Sequence, residues 1–357
     1  MTIQKTGAAG VSDAGRTTPA GEGWRLALPP RWTRVASLFR SRTLGGLILT
    51  RFLLLIPTLL AVTVFAFCLT LLVPGDPVYA ILGESATPEA AQALRVELGL
   101  DKPPVVRYFV WLAAALHGDL GHSLYGATPV LGAIVARLPV TIELVFLSLL
   151  IIVIVAVPCG ILAAYAKNPI VDRISAVLVS VGQALPPFWL GLVFVAVFAL
   201  GAHLFPPYGY VPISAGVLDN LSHLVLPAIA LSIPSTCELF LQSKAAASRV
   251  FSEDYIRTAR AAGQSRISVI ARWGAKNAML PIITVIGLQL DRLIGVAAPV
   301  ETVFGMQGVG SLAVTSALNS DTPMLLGIIV VIGAFVLILN FLVDLSYLYF
   351  NPKLRAS

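Results

Sequence analysis

Few residues in this chain combine a reactive type with a spacing suited to catalysis. The four histidines, His117, His122, His203 and His223, are scattered, whereas a metal site needs converging ligands; interface or loop roles suit them better. Cys68, Cys159 and Cys237 lie far apart, each in or near an apolar run, and read as buried small hydrophobes. Gly121-His122-Ser123-Leu124-Tyr125 approaches a nucleophile elbow, but Tyr125 replaces the second glycine and no strand-turn-helix pattern surrounds it. A phosphate-binding P-loop, a His-Glu-x-x-His pair and a Cys-x-x-Cys pair are all missing from the sequence. What remains is polar groups in apolar surroundings: Glu143, Glu238, the adjacent Asp291-Arg292, Asp344, and a polar stretch from Asp254 to Pro281. Their chemistry is that of pairing, lining and docking, with no bond made or broken.

The elements that hold these groups are set by composition. The 357 residues are 57% hydrophobic and only 12% charged, with a mean hydropathy of +0.88; a soluble domain carries about 25% charge. Six segments reach the roughly 20 residues needed to cross a bilayer: 50–73, 139–164, 174–203, 221–246, 281–302 and 324–348. The fold class expected is therefore an all-α membrane protein with six transmembrane helices. The net charge of +6 does not call for nucleic acid, because Lys and Arg gather in loops beside the spans. The tail before the first span holds Lys5, Arg16, Arg25, Arg31, Arg34, Arg40 and Arg42; the 165–173 loop holds Lys167 and Arg173. The 247–280 loop holds Arg249, Arg257, Arg260, Arg266, Arg272 and Lys276, the C-terminus holds Lys353 and Arg355, and loops 204–220 and 303–323 hold neither Lys nor Arg. By the positive-inside rule both termini and the 247–280 loop face the cytoplasm.

The expected division is a disordered cytoplasmic tail over 1–47, a six-helix domain over 48–348 and a cytoplasmic end over 349–357. Residues 74–138 form the one large extracytoplasmic insertion. It opens on the turn Pro74-Gly75-Asp76-Pro77. A short amphipathic helix follows over 87–99, with Thr87 as N-cap, Pro88 at the first helical position and Gly99 at the end. After the break at Asp101-Lys102-Pro103-Pro104, residues 105–116 are again amphipathic and suit the outer membrane face.

Charge inside a span is costly and faces a bundle interior or a wet cavity. For Glu143 and Asp344, near span ends, pairing between helices is the better reading. Gln183, Glu238, Gln289, Asp291 and Arg292 are candidates for a polar translocation path, with helix pairing as the alternative. Pro186-Pro187 sits mid-span beside Gly182 and Gln183, where proline removes a helical hydrogen bond.

Residues 254–281 carry the strongest signal. Tyr255 to Ala262 are good helix formers, with Arg257 and Arg260 one turn apart; Gly263 breaks the helix, and Ser265 to Lys276 form a second. Glu253 and Arg257 are spaced to pair at i,i+4. Such a helix–glycine–helix can seat in a groove of a soluble partner, or it can be a solvated basic loop that only sets topology.

At these residues the chain resembles the inner-membrane permeases of bacterial ATP-binding-cassette importers, in particular the first permease of the dipeptide/oligopeptide/nickel branch. The resemblance rests on Asp254-Tyr255-Ile256-Arg257-Thr258-Ala259-Arg260-Ala261-Ala262-Gly263 with Asn277-Ala278-Met279-Leu280-Pro281. It extends through Val73 to Pro77, Gly118 to Ser123, Glu301 to Gly310, Asn340 to Leu345 and Asn351 to Arg355. Arg257-Thr258-Ala259 stands where importer permeases in general have Glu-Ala-Ala; Ala262, Trp273 and Asn351 depart from the branch's common Lys, His and Asp.

The resemblance implies a subunit that is not an enzyme and binds no cofactor or metal itself. It implies a second homologous permease, one or two ATP-binding subunits carrying ATP and Mg, and an extracytoplasmic substrate-binding protein, in a bacterial inner membrane. Asp254, Tyr255, Arg257, Thr258, Ala259, Arg260, Ala261 and Gly263 would couple to the ATPases. Glu301, Phe304, Gly305, Gln307, Gly308 and Gly310 would touch the binding protein, through glycines free to take positive φ. Short peptides are the expected substrate, with nickel chelates, opines or glutathione-like compounds as alternatives. The rival from another class is an ion-driven secondary transporter, which explains the intramembrane charges but leaves the 254–281 loop without a role.

Overall fold

The computed structural model describes residues 44–72, 77–83, 87–126 and 128–350. The tail up to residue 43, the Pro74-Gly75-Asp76 turn and the 351–357 end lie outside them. In chain order the helices are α1 Leu44–Leu72, α2 Pro77–Leu82, α3 Pro88–Glu97, α4 Pro104–Leu116, α5 Val130–Ala166, α6 Pro169–Ala184 and α7 Pro187–Phe194. There follow α8 Val217–Phe251, α9 Asp254–Ala261, α10 Arg266–Ser268, α11 Lys276–Val303, α12 Val309–Leu318 and α13 Thr322–Phe350. The only β pairing among the described residues is a single bridge between His122 and Pro129.

Five helices are long and apolar enough to cross a membrane: α1, α5, α8, α11 and α13. The segment expected as one span over 174–203 is instead the pair α6 and α7 with its continuation to Gly201, bent by 95°. The bend falls at Pro186-Pro187. Proline forces the residue before it out of the helical region, and both Leu185 and Pro186 are extended. Helix α5 starts nine residues before the expected 139, because Pro139 lies inside the helix rather than at its head. At 37 residues and 1.5 Å per residue it is about 55 Å long, well beyond a hydrocarbon core of about 30 Å. The loop expected over 165–173 shrinks to Lys167-Asn168, where Asn168 Oδ1 accepts from Ile170 N at 2.9 Å and caps α6.

The core lies where α5, α8 and α11 meet, around Leu144, Ile152, Leu231, Leu239, Ile282 and Leu293. Close approach of α5 and α8 depends on Gly160. A methyl there would come within 2.7 Å of Ser243 Cβ and 2.8 Å of the Phe240 carbonyl. Small residues at such crossings let helix backbones touch. Helix α1 packs on α13 and, through Thr63 and Phe67, on α4, and leaves Leu49, Phe52, Phe65 and Leu72 bare, which suits a lipid-facing surface. Cys68 and Cys159 are exposed rather than buried, and Cys237 is half-buried. Residues 87–116 follow expectation closely: Thr87 Oγ1 accepts from Ala90 N at 3.2 Å, and Gly99 ends the turn at φ +63°.

Candidate functional site

Helix α9 is a polar elbow between two spans. Helix α8 runs into it through Ser252-Glu253, and α10 leads from it, through one wide π-helical stretch over Val269–Ala275, directly into α11. Its inner face is fixed. Ile256 and Ala259 are buried, and Tyr255 stacks at a tilt on Trp273 and accepts from Asn277 Nδ2 at 3.0 Å. The Arg260 guanidinium lies 5.2 Å above the Tyr165 ring at the end of α5, a cation–π contact. The outer face, Asp254, Arg257, Thr258 and Ala261, is exposed. Arg257 pairs with Asp254 at 3.4 Å, one turn back, rather than with Glu253. Gly263 ends the helix at φ +74° with open space around it; its N–H donates to the Arg260 carbonyl at 3.0 Å. Thus three helices, α5, α8 and α11, are tied to one short polar segment.

Mid-span, the structure joins two of the expected path residues and turns the others elsewhere. Asp291 and Arg292 diverge as neighbours on a helix must. Asp291 accepts from Asn340 Nδ2 of α13 at 3.1 Å, while Arg292 forms an ion pair with Glu238 of α8. That pair is open to the surroundings, with side-chain exposures of 57% and 32%. Gln289 is 2% exposed and faces the packed interior of this chain. Gln183 is exposed on the last turn of α6, one residue from the point where Gly182 abuts Cys237 of α8.

The expected contact loop also turns inward. Glu301, Phe304, Gly308 and Gly310 are buried, leaving Gly305 and Gln307 exposed. The Glu301 carboxylate receives Thr141 Oγ1 at 2.7 Å and Ser311 N at 2.8 Å. Thr141 Oγ1 in turn accepts from Val309 N at 2.9 Å. A carboxylate at the first turn of α12 satisfies its free N–H groups and opposes its dipole. This explains the glycines: a side chain at Gly308 would collide with the Glu301 carboxyl group, and one at Gly310 with Ala298 at 2.6 Å. Of the three, only Gly305 has positive φ, at +60°. Sequence reasoning missed Thr141 because its partner lies 160 residues away. It also missed Tyr210 and Asn220, which donate to Glu143 Oε2 at 3.0 and 2.7 Å and tie the 202–216 loop to α5. That Glu143 was expected to pair, but not with these groups. Tyr210 is pushed up to about 12, first by burial and then by its bond to Glu143 and that group's charge.

A helical bundle of long apolar spans, with a polar elbow where two of them join, is a multi-pass membrane protein. Residues 156–356 match the family described as binding-protein-dependent transport system inner membrane component, and residues 45–145 match its N-terminal membrane component. The chain belongs to that family of ABC transport permeases, whose members are non-catalytic membrane subunits. It is 36% identical over 312 residues to a probable peptide ABC transporter permease of Sinorhizobium fredii, covering 87% of this chain and 100% of the relative. It is 38% identical over 310 residues to a putative peptide transport system permease of Brucella abortus, covering 87% and 99%. To the dipeptide transport system permease DppB of Escherichia coli it is 33% identical over 332 residues, covering 86% and 98%.

Proposed function

We propose that this chain forms half of a translocation path for short peptides and couples it to ATP hydrolysis on partner subunits. The observation that carries this is α9: a helix held by Ile256 and Ala259 buried beneath it, by Arg260 over Tyr165 of α5 and by Tyr255 against Trp273 and Asn277, while its outer polar face stays bare. Such a helix is built to transmit force from something seated on its outer side. A displacement of α9 tilts α8 and α11 together, and these carry the partly exposed Glu238–Arg292 pair. Charge open at the middle of two spans must face protein or water, not lipid. We place it on the path, beside Gln183, with a second homologous permease supplying the opposite wall.

The peptide names of the relatives support a peptide substrate; nickel chelates, opines and glutathione-like compounds are the alternatives within the family. One or two ATP-binding subunits, with ATP and Mg, dock on Asp254, Arg257, Thr258 and Ala261. An extracytoplasmic binding protein meets the exposed Gly305 and Gln307. The positive-inside pattern supports a bacterial inner membrane with both termini and 247–280 in the cytoplasm and 74–138 outside. A cysteine at Arg257 in the assembled complex should crosslink to an ATP-binding subunit, and one at Leu204, in the opposite loop, should not. Crosslinking from Leu204 alone would reverse the orientation and remove the coupling role from α9.

A further inference from the structure

Where α1 ends and α13 begins, a cavity of about 460 Å³ opens. Thr70 near the end of α1 and Thr322 at the head of α13 both line it, which sets it at the level of the membrane boundary. Its walls have two natures. Phe67, Trp111 and Leu326 are apolar; Lys102, Arg107 and His122 are basic or polar. Helix α4 forms one wall and is docked on α1: the Tyr108 hydroxyl and Thr63 Oγ1 share a hydrogen bond of 2.9 Å, and the Tyr108 ring meets Phe67 edge-on at 5.5 Å. Away from the cavity α4 leaves Val105 and Phe109 bare at 66% and 62% exposure, and Val110 on the cavity rim is 59% exposed. A short helix with a bare apolar face beside membrane spans lies in the interfacial layer.

Three nitrogen donors at this cavity lack acceptors. Among the described residues, neither Lys102 nor Arg107 has a side-chain hydrogen bond or ion pair, and Trp111 Nε1 is buried without a partner. Burial holds the Arg107 guanidinium below its ordinary value, as expected of a cation drawn partly out of water with nothing opposite it. Two nearby carboxylates are committed elsewhere: Asp119 accepts from Gly121 N at 2.8 Å, and Asp321 accepts from Leu124 N and Met324 N at 3.3 Å; Asp101, beside Lys102, is exposed to water. A ligand that answers all of this carries a negative charge on several oxygens and an apolar tail. A basic cavity at headgroup depth with a bare apolar rim is the chemistry of an anionic lipid site, and bidentate guanidinium geometry suits phosphate.

We propose that this cavity binds the headgroup of an anionic phospholipid, its phosphate held by Arg107 and Lys102 and its acyl chains laid against Phe67, Val110 and Leu326 of the cavity wall. The site does not depend on what the chain transports. The test is native mass spectrometry of the full chain in its assembled complex, with phosphatidylglycerol, phosphatidylcholine or inorganic phosphate added. The wild type should retain phosphatidylglycerol in preference to phosphatidylcholine. The Lys102→Gln/Arg107→Gln double variant should retain it roughly thirtyfold more weakly, and Arg107→Lys should keep most of the binding, which separates loss of charge from loss of fold. Equal retention of the two lipids, or unchanged phosphatidylglycerol binding in the double variant, would overturn the proposal. So would displacement of the lipid by inorganic phosphate, which would make this a free-anion site. Intact lipid retention with loss of the substrate-binding protein would make it a docking surface instead.

Discussion

Glu301→Gln should unlock the joint between α11 and α12. Both carboxylate oxygens face donors, Thr141 Oγ1 at 2.7 Å and Ser311 N at 2.8 Å. The Thr141 proton must point at Glu301, because its oxygen already accepts from Val309 N. An amide in that place satisfies one donor and turns an NH₂ toward the other. Hydrogen bonds to charged groups contribute about 1.5–3 kcal/mol each. Losing one, and burying a donor against a donor, should cost about 2–4 kcal/mol. Glu301→Ala removes both bonds and leaves a void, so its cost should be larger still. Thr141→Val strips the same network from the other side, and the two substitutions should be non-additive by about 1–2 kcal/mol. The assay is the thermal unfolding midpoint of the purified chain in detergent for the wild type, both single variants and the double variant. Glu301→Gln with an unchanged midpoint, or effects of Glu301→Gln and Thr141→Val that simply sum, would refute the network.

Gly160→Val should loosen α5 from α8, because its side chain meets Ser243 and a backbone carbonyl at 2.7–2.8 Å; overpacking of this kind costs about 1–3 kcal/mol, read as a lower unfolding midpoint. Gly263→Val meets no neighbour but forces a β-branched residue to φ +74°, a strain of about 1–2 kcal/mol. It should leave membrane insertion intact and reduce substrate-stimulated ATP hydrolysis; wild-type transport in a complex containing its ATPases would argue against the coupling role. Tyr210 has a raised folded-state value, so the stability it contributes is full below its ordinary 10 and is lost as pH rises through about 12. Its tyrosinate absorbance should appear late in an alkaline titration, and Glu143→Gln should bring it earlier.

Much of the bundle was legible because apolar runs of this length admit few structures. The caps at Thr87 and Gly99 and the helix ending at Gly263 were legible because each is decided within four residues. Pro186-Pro187 announced a break, but its 95° angle depends on what α6 and α7 pack against. The loop at Glu301 misled: a carboxylate among glycines reads as surface. Its burial follows from Thr141 in another span, and Gly308 makes room for the carboxylate while Gly310 makes room for Ala298. The polar mid-span residues could be found from the cost of burying them, but their partners could not. Adjacent residues on one helix, Asp291 and Arg292, turned to different neighbours.

The central claim is that this chain moves peptides only as part of an ATP-driven assembly. The direct measurement is uptake of a labelled dipeptide into proteoliposomes that hold either this chain alone or the chain with its second permease, ATP-binding subunits and substrate-binding protein. Uptake should require the full assembly and ATP, and the chain alone should move nothing under a proton or sodium gradient. Gradient-driven uptake by the chain alone would contradict the claim and identify a secondary transporter.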